Sequence, residues 1–388
     1  VSSSVELADI GTDAATLGED YFITDDIATS GLWAPIGDAT NQFKGSLRGN
    51  SKTITITNFV SPASTTHIGL FAKTDRARIE DINIQHADTN YISLSSSSMI
   101  YVGLLAAEAN DSFFDRITIS GPLKIQVQNG IPSVYAGGLV GYTKGGTVIS
   151  RSCTQGALTA NQMDTNGPYT GQVFVLGALV GTAENTTIDL SYAEGKATFE
   201  KISGKTYVHI GGLVGRLQNS GTSNSTIKNS YAAGGVGVAH PAYSSNVFPN
   251  YSAIGGLVGS ISSTGTGTTT VESCYAAGPI GNSGEVIYTG GLVGYANGGT
   301  LKKSAAIYSS LPGGTYVHRI AGNTTGTLDQ NFAHDYPYAI TAHNSNDGFP
   351  KTIAELKTRS TYETGLGWDF TVVWKMPAAP GYPILQWQ

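Results

Sequence analysis

Three tyrosines stand at equivalent places in the sequence and could bind a ligand by stacking. Tyr192, Tyr231 and Tyr275 each lie between a small Ser or Cys and an Ala, in consecutive copies of one phrase. Flat aromatic faces suit sugar rings, and strands stacked ~4.8 Å apart would bring several rings within reach of one glycan. The alternative is a ladder of like residues that stabilises the sheet or lies under a loop, which is common in stacked repeats and is favoured here.

A pair of carboxylates offers a second chemistry. Glu80 and Asp115 fall at the same place in adjacent repeats, and two carboxyl groups about 5 Å apart fit a retaining glycosidase. The same column alternates in charge further along the chain, and Arg116 adjoins Asp115. We therefore interpret the pair as part of a salt-bridge ladder, and we expect no catalytic residue.

Other catalytic and metal-binding patterns are missing from the sequence. The seven histidines form no HExxH motif, and neither a phosphate-binding loop nor a nucleophile elbow occurs. The aspartates do not follow the pattern of a calcium loop, and the two cysteines lack metal-site spacing. The sequence predicts no metal and no cofactor.

The element that must position these residues is a repeated glycine phrase. It reads GGLVG or GALVG in five places and recurs every 28 to 44 residues. Looser copies stand before and after these, and in the two earlier ones we align Gly69 and Gly103 with the second glycine of the phrase. Such a period is typical of stacked-repeat architectures, in which each unit buries its apolar face against its neighbours. The five close copies begin at Gly137, Gly177, Gly211, Gly255 and Gly290.

A second phrase follows each glycine phrase by about ten residues and predicts the core. Its first apolar column is Ile79, Phe114, Ile149, Ile188, Ile227, Val271, Leu301 and Leu328. Small or apolar residues also stand three and five positions later, as the inside of a narrow coil requires. The next column alternates in charge through Asp189, Lys228, Glu272, Lys302 and Asp329, which favours one parallel coil per repeat.

The stretch between the second phrase and the next glycine phrase varies in length. Variable loops of a solenoid usually gather on one face, which is often the binding face. Tyr169, Tyr243 and Tyr251 lie in these stretches and join the three stacked tyrosines as candidate ligand-binding residues.

The cysteines provide a test of this register. Cys153 falls in the outward column and Cys274 in an inward one, three coils apart, which exceeds the ~7 Å limit for a disulfide. We expect two free thiols.

Composition limits the partners and the compartment. The net charge is −6 and the pI is near 5.6, so nucleic acid is not an expected partner. No apolar run is long enough to cross a bilayer. The sequence starts at Val1 without a methionine, which we interpret as a processed or excised piece of a longer chain. Low charge, abundant Ser, Thr and Gly, and few cysteines suggest a bacterial cell-surface or secreted protein.

The phrases resemble a known family. The GGLVG copies and the strands that follow them, such as Thr187 to Gly195, Thr226 to Gly234 and Thr270 to Gly278, are similar to the GLUG motif of bacterial cell-surface proteins. The segments before and after the repeats also resemble those that flank GLUG repeats. This resemblance implies a parallel β-helix on a surface or secreted protein, commonly an adhesin, and it supplies no catalytic residues.

Together these observations predict an all-β chain that forms a single right-handed parallel β-helix of about nine coils. Right-handedness rests on the general preference for right-handed crossovers. We expect an N-terminal cap over 1–42, the repeats over 43–334, and a C-terminal cap with a short helix and a Trp-rich tail over 335–388.

For function, we expect a non-catalytic adhesion or binding module, a monomer or part of a longer chain, that recognises a glycan or a surface protein of a host or neighbouring cell. One alternative is a polysaccharide lyase or glycoside hydrolase. A second is a stalk within a larger surface protein.

Overall fold

A computed structural model describes residues 1–60, 65–128, 131–162, 170–200, 205–238, 252–282, 288–312, 316–335 and 345–388. The described chain is built mainly from short parallel strands. The three α-helices of the described ranges lie near the ends of the chain: α1 is Ser4–Asp9, α2 is Ile353–Leu356 and α3 is Arg359–Glu363. Two single 3₁₀ turns cover Thr16–Gly18 and Ser345–Asp347.

Sheet 1 runs the length of the molecule and contains 18 strands. Its strands are Asp20–Phe22, Ile27–Ala28, Ser46–Ile56, Arg78–His86, Phe113–Ser120, Val148–Ser150, Cys153–Thr154, Thr187–Asp189, Tyr192–Ala193, Ser225–Lys228, Tyr231–Ala232, Thr269–Glu272, Tyr275–Ala276, Thr300–Lys302, Ala305–Ala306, Thr327–Asp329, Phe332–His334 and Phe349–Lys351.

Sheets 2 and 3 each contain eight strands and lie directly before and after the glycine phrases. Sheet 2 consists of His67–Ile68, Ile100–Val102, Ser133–Gly137, Thr170–Gly177, Lys205–Gly211, Ala253–Gly255, Tyr288–Gly290 and Val317–His318. Sheet 3 consists of Phe71–Asp75, Ala106–Asn110, Val140–Lys144, Val180–Glu184, Val214–Asn219, Val258–Ser263, Val293–Asn297 and Ala321–Thr324.

Sheet 4 completes the coil with six strands. They are Ile92–Leu94, Leu123–Val127, Leu158–Gln162, Ala197–Phe199, Val236–Val238 and Ile280–Asn282. Two small pairs complete the strands of the described ranges: Leu32–Trp33 lies parallel to Asn58–Phe59, and Trp374–Lys375 lies antiparallel to Ile384–Leu385.

Each repeat therefore passes through sheets 2, 3, 1 and, in most coils, 4 before the next repeat begins. The chain is a parallel β-helix, as the repeats predict. From Ser46–Ile56 to the pair Thr327–Asp329 and Phe332–His334, sheet 1 stacks nine layers. Leu139, Leu179, Leu213, Leu257 and Leu292 pile up along the helix, are fully buried, and are linked by backbone hydrogen bonds of 2.9 to 3.0 Å.

The register predicted for the second phrase is confirmed. Ile79, Phe114, Ile149, Ile188, Ile227, Val271, Leu301 and Leu328 pair in one column. In the neighbouring charge column, Lys228 lies 3.3 Å from Asp189 and Lys302 lies 3.1 Å from Glu272. Opposite charges on adjacent strands support the stack as expected, although each exposed pair contributes little.

A bend divides most strands of sheet 1 and explains the small residues three positions into the phrase. The residue before each small position, such as Arg151 or Leu190, adopts a positive φ. The serine that follows accepts a hydrogen bond from the backbone of the previous layer: Ser152 N to Ser191 Oγ is 3.2 Å and Ser191 N to Ser230 Oγ is 3.1 Å. These hydroxyls satisfy backbone groups that the bend removes from the strand ladder.

The predicted alignment of the two loose glycine phrases is wrong by one residue. Gly69 and Gly103 were matched to the second glycine of the phrase, but Val102 pairs with Ala136 and Ala106 with Val140. Gly103 therefore aligns with Gly137, the first glycine. A leucine, Leu104, occupies the second place in that coil, which hid the true register from a sequence match.

Both cysteines are free, as predicted, and both are buried. Cys153 packs on the outer side of sheet 1 with Tyr192, whereas Cys274 lies in the core of the helix. Among the described residues, no helix combines the length and the apolar character needed to cross a bilayer.

Candidate functional site: a groove at an outer corner

The predicted tyrosine ladder exists but offers no surface to a ligand. Tyr192, Tyr231 and Tyr275 stack with ring centroids 4.9 and 4.7 Å apart and planes within 7° and 3° of parallel. Their exposed fractions are only 6%, 2% and 3%. The prediction that these rings are an open binding platform is therefore wrong, and the alternative of a covered stabilising ladder is correct.

The C-terminal segment provides the cover. The ring centroids of Trp387 and Tyr192 are 5.5 Å apart, and those of Trp374 and Tyr275 are 6.0 Å apart. The Tyr275 hydroxyl donates to the carbonyl of Pro383 at 2.8 Å. Large apolar rings on an outer face gain stability when another apolar segment removes them from water, and the Trp-rich tail does this. The other candidates, Tyr169, Tyr243 and Tyr251, lie outside the described residues.

The carboxylate pair has a structural role. Glu80 forms a salt bridge with Arg78 at 2.6 Å. Asp115 forms salt bridges with Arg151 at 2.7 Å and with Arg116. Within the described ranges, no three His, Cys, Asp or Glu side chains converge as a metal site would require.

A different site lies where sheets 2 and 3 meet. The outward side chains of the two sheets contact one another: the Tyr135 and Tyr142 rings are 5.4 Å apart, and the Tyr288 and Tyr295 rings are 5.1 Å apart. Outward residues of two sheets can touch only if the sheets fold towards each other on the outside of the helix. We call the resulting concave surface the corner groove. Its walls are the residue two positions before each GGLVG-type phrase and the residue directly after it.

The glycine phrase makes this corner possible. A Cβ on Gly141 would lie 2.7 Å from the backbone N of Val102 and 2.8 Å from the carbonyl O of Tyr135, both in sheet 2. Gly181 and Gly215 are equally close to the sheet 2 strands beside them. The last glycine of the phrase therefore forms the floor of the corner groove. It lacks a side chain, so the start of sheet 3 can lie in contact with the backbone of sheet 2.

Large and small residues alternate along both walls in the same layers. Pairing places each wall in one register: Tyr135, Val175, His209, Ala253 and Tyr288 on sheet 2, and Tyr142, Thr182, Arg216, Ser260 and Tyr295 on sheet 3. A tyrosine pair therefore stands at each end of these five layers, a His and Arg layer stands in the middle, and a layer of smaller residues separates each pair from the middle.

The middle of the corner groove contains polar groups without a protein partner. Thr182 Oγ1, His209 Nδ1 and Ser260 Oγ are buried and make no hydrogen bond. These side chains come from residues that are at most 8% exposed. Among the described residues, none forms an ion pair with Arg216 in the middle layer. Buried polar groups normally find partners, so these three atoms and the unpaired Arg216 make the middle of the corner groove a candidate position for a ligand.

The charges of the middle layer follow from burial. Burial, aided by the neighbouring charge of Arg216, holds the pKa of His209 well below its usual range, so its imidazole is neutral at pH 7. Burial also lowers the pKa of Arg216, but a guanidinium remains protonated in proteins. The layer thus carries one positive charge beside a neutral imidazole.

The carboxylates near the tyrosine end are already satisfied. Glu108 lies 2.7 Å from Lys144 and 3.3 Å from Lys73. Burial alone would raise the pKa of Glu108, but His67 and these two ammonium groups outweigh it and lower the pKa to about 2. Glu184 accepts hydrogen bonds from Tyr142, from Gln218 at 3.1 Å and from Ser220.

Sequence reasoning missed the corner groove because it followed the residues of the second phrase. The signal was present in the two residues that flank each glycine phrase, which read Tyr and Tyr, Val and Thr, His and Arg, Ala and Ser, and Tyr and Tyr in five successive copies. What could not be seen was that these flanking residues face each other.

The stacked sheets and the corner groove define a parallel β-helix with a polar and aromatic outer groove. The sequence matches no known family model, and no curated protein matches it significantly. Among solved structures, it is similar to a Bacteroides ovatus protein provisionally identified as an immunoglobulin A1 protease, at 16% identity and a TM-score of 0.48, over 100% of this chain and 92% of that one. A likeness of this size carries no inference about activity.

Proposed function

We propose that the protein is a non-catalytic binding module that holds a glycan in the corner groove. The observation that carries this proposal is the pairing of open tyrosine rings at both ends with unpartnered polar side chains between them. Tyr135, Tyr142, Tyr288 and Tyr295 are each partly exposed, unlike the tyrosine ladder of sheet 1. Aromatic faces that stack on sugar rings, together with a few convergent hydrogen-bonding groups, are what a carbohydrate site requires.

The dimensions of the corner groove support a linear ligand. The two tyrosine pairs are four layers apart, which corresponds to ~19 Å at ~4.8 Å per layer. An oligosaccharide of about four sugars spans this length. On the Tyr288 side, the small residues Ala253 and Ser260 leave room beside His209 and Arg216 for ring substituents.

A glycan array, together with retention on whole host and microbial cells, tests this proposal. We expect the intact protein to be retained and a Tyr288→Ala, Tyr295→Ala double variant to lose at least about tenfold in affinity, since aromatic stacking on a ring contributes ~1 kcal/mol or more per contact. A matched control is Gln126→Ala with Thr159→Ala, which changes two outward residues of sheet 4.

The outcomes separate the alternatives. Retention that is equal in the tyrosine variant and the control would place binding outside the corner groove. Release of reducing ends or unsaturated sugars from a polysaccharide would favour the enzyme alternative, and neither retention nor turnover would favour a stalk.

We also propose that the protein acts at a bacterial cell surface or in secreted form as an adhesin-like member of the GLUG-motif proteins. The resemblance of the glycine phrases and of the flanking segments supports this proposal. Surface labelling of intact cells of the source organism with an antibody to this chain provides the test, and labelling confined to lysed cells would contradict it.

A further inference from the structure

The middle layer of the corner groove holds a cation that its own chain leaves unpaired. Arg216 is partly buried, and its neighbours along the wall are Thr182 and Ser260. Neither of these residues, nor any other in the described part of the chain, accepts a hydrogen bond from the guanidinium. An unpaired, partly desolvated charge is costly, so an acceptor supplied by a ligand would be bound strongly here.

The surrounding groups are suited to an oxyanion. A guanidinium presents parallel N–H donors that match the two oxygens of a carboxylate or a sulfate. The Ser260 hydroxyl, one layer from Arg216 at ~4.8 Å, can donate to the same group. His209, on the opposite wall of this coil, is 8% exposed and has Nδ1 free of any protein partner.

The acidic residues of the groove do not compete for this position. Glu108 is neutralised by Lys73 and Lys144, and the oxygens of Glu184 accept from Tyr142, Gln218 and Ser220. The two carboxylates are thus bound in their own networks. The positive charge of Arg216 remains available to a ligand.

We propose that the corner groove selects acidic glycans, with a carboxylate or sulfate of one sugar bound by Arg216 beside Ser260 while neighbouring sugars contact the tyrosine pairs. This inference rests on the proposed glycan-binding function and adds the class of glycan. It assigns specificity to the middle layer and general sugar affinity to the two ends.

Matched oligosaccharides test the inference. The probes are a uronic acid tetrasaccharide, its carboxyl-reduced form, a sulfated neutral tetrasaccharide and inorganic sulfate, each titrated calorimetrically into the whole chain. The variants are Arg216→Gln, Arg216→Lys and the control Arg48→Gln, which removes an exposed charge outside the groove. Thermal unfolding of each variant establishes that it is folded, and Arg216→Gln should be tolerated because it removes an unpaired charge.

We expect at least one acidic tetrasaccharide to bind about tenfold or more tightly than the uncharged form, since charge-assisted bonds are roughly twice as strong as neutral ones. Arg216→Gln should abolish this preference without weakening the neutral probe, Arg216→Lys should keep part of it, and Arg48→Gln should leave it unchanged. Which acidic probe is preferred identifies the oxyanion.

Two results would overturn the inference in distinguishable ways. If neutral and acidic probes bind equally, or if Arg216→Gln retains the preference, glycan binding stands and the acidic selectivity fails. If no oligosaccharide binds, both proposals fail, and binding of inorganic sulfate alone would then indicate a site for a free anion.

Discussion

The protein carries two sets of contacting tyrosines, of which one is buried and the other is partly exposed. On sheet 1, the rings of Tyr192, Tyr231 and Tyr275 stack nearly parallel to one another and are buried beneath the C-terminal tryptophans. In the corner groove, the Tyr288 and Tyr295 rings touch across a concave angle and remain partly exposed. The repeat produces the sheet 1 ladder, because equivalent positions in a parallel stack align. The tyrosine pairs of the corner groove form within one coil, on either side of its glycine phrase.

The difference teaches that regular stacking of aromatic residues is not evidence of a binding surface. Stacking follows from the register of the repeat, whereas access depends on what else packs there. The better indication of a ligand site is a partly exposed wall that carries an unpaired charge, as Tyr295 and Arg216 provide in the corner groove. In the covered ladder, by contrast, the hydroxyls of Tyr231 and Tyr275 have partners in the C-terminal segment.

The largest expected effect comes from removing the cover. Trp374 is fully buried and lies 4.6 Å from Trp368 and 6.0 Å from Tyr275. Trp374→Ala should lower the free energy of unfolding of this region by ~3–5 kcal/mol, because it leaves a large cavity. Urea denaturation followed by tryptophan fluorescence measures the loss. Val372→Ala, at a residue 70% exposed, is the control and should change stability by less than ~0.5 kcal/mol.

A direct comparison of the two tyrosine sets comes next. Tyr231→Ala should cost ~3 kcal/mol, since the ring is buried between two tyrosines and beneath Trp374. Tyr295→Ala should cost ~1 kcal/mol or less, since its ring is partly exposed. Urea unfolding of both variants provides the measurement, and equal losses would contradict the distinction drawn between the covered ladder and the corner groove.

The pH dependence of stability reports on the charged residues one layer beyond the Tyr135 and Tyr142 pair. The pKa of Glu108 is lowered to about 2 in the folded chain, from an ordinary value of 4.5. A lowered folded pKa stabilises the protein above pH 4.5, and this contribution is lost as pH falls from about 4.5 towards 2. Glu108→Gln should therefore show a shallower loss of stability than the intact protein between pH 5.5 and pH 3 in parallel urea titrations. Identical pH profiles would show that the Lys73 and Lys144 contacts contribute nothing.

The smallest effect is a difference in thiol reactivity. Burial raises the pKa of both Cys153 and Cys274, so both should react slowly with a thiol reagent in the native state and quickly in urea. Cys153 shares the covered cluster with the tyrosine ladder, whereas Cys274 lies in the helix core. In Trp374→Ala, Cys153 should become reactive before Cys274. Simultaneous exposure of both thiols would mean that the cover and the core unfold as one unit.

The sequence by itself determined the coil and its register. The spacing of the glycine phrase implied stacked repeats, and the apolar column from Ile79 to Leu328 pairs as the sequence predicted. These features can be predicted because each repeat contacts mainly its neighbours. The spacing of apolar residues in the sequence therefore shows directly which residues pack against one another. The placement of Cys153 and Cys274 on opposite sides of sheet 1 could be predicted for the same reason.

Only the tertiary structure decided which surfaces are open. The cover over Tyr231 comes from residues some 140 positions later in the chain, such as Trp374, and no repeat pattern encodes that contact. The corner groove depends on the angle at which sheets 2 and 3 meet. That angle follows from the close approach of Gly141 and its equivalents to the backbone of sheet 2, a three-dimensional contact that brings Arg216 and His209 to one site.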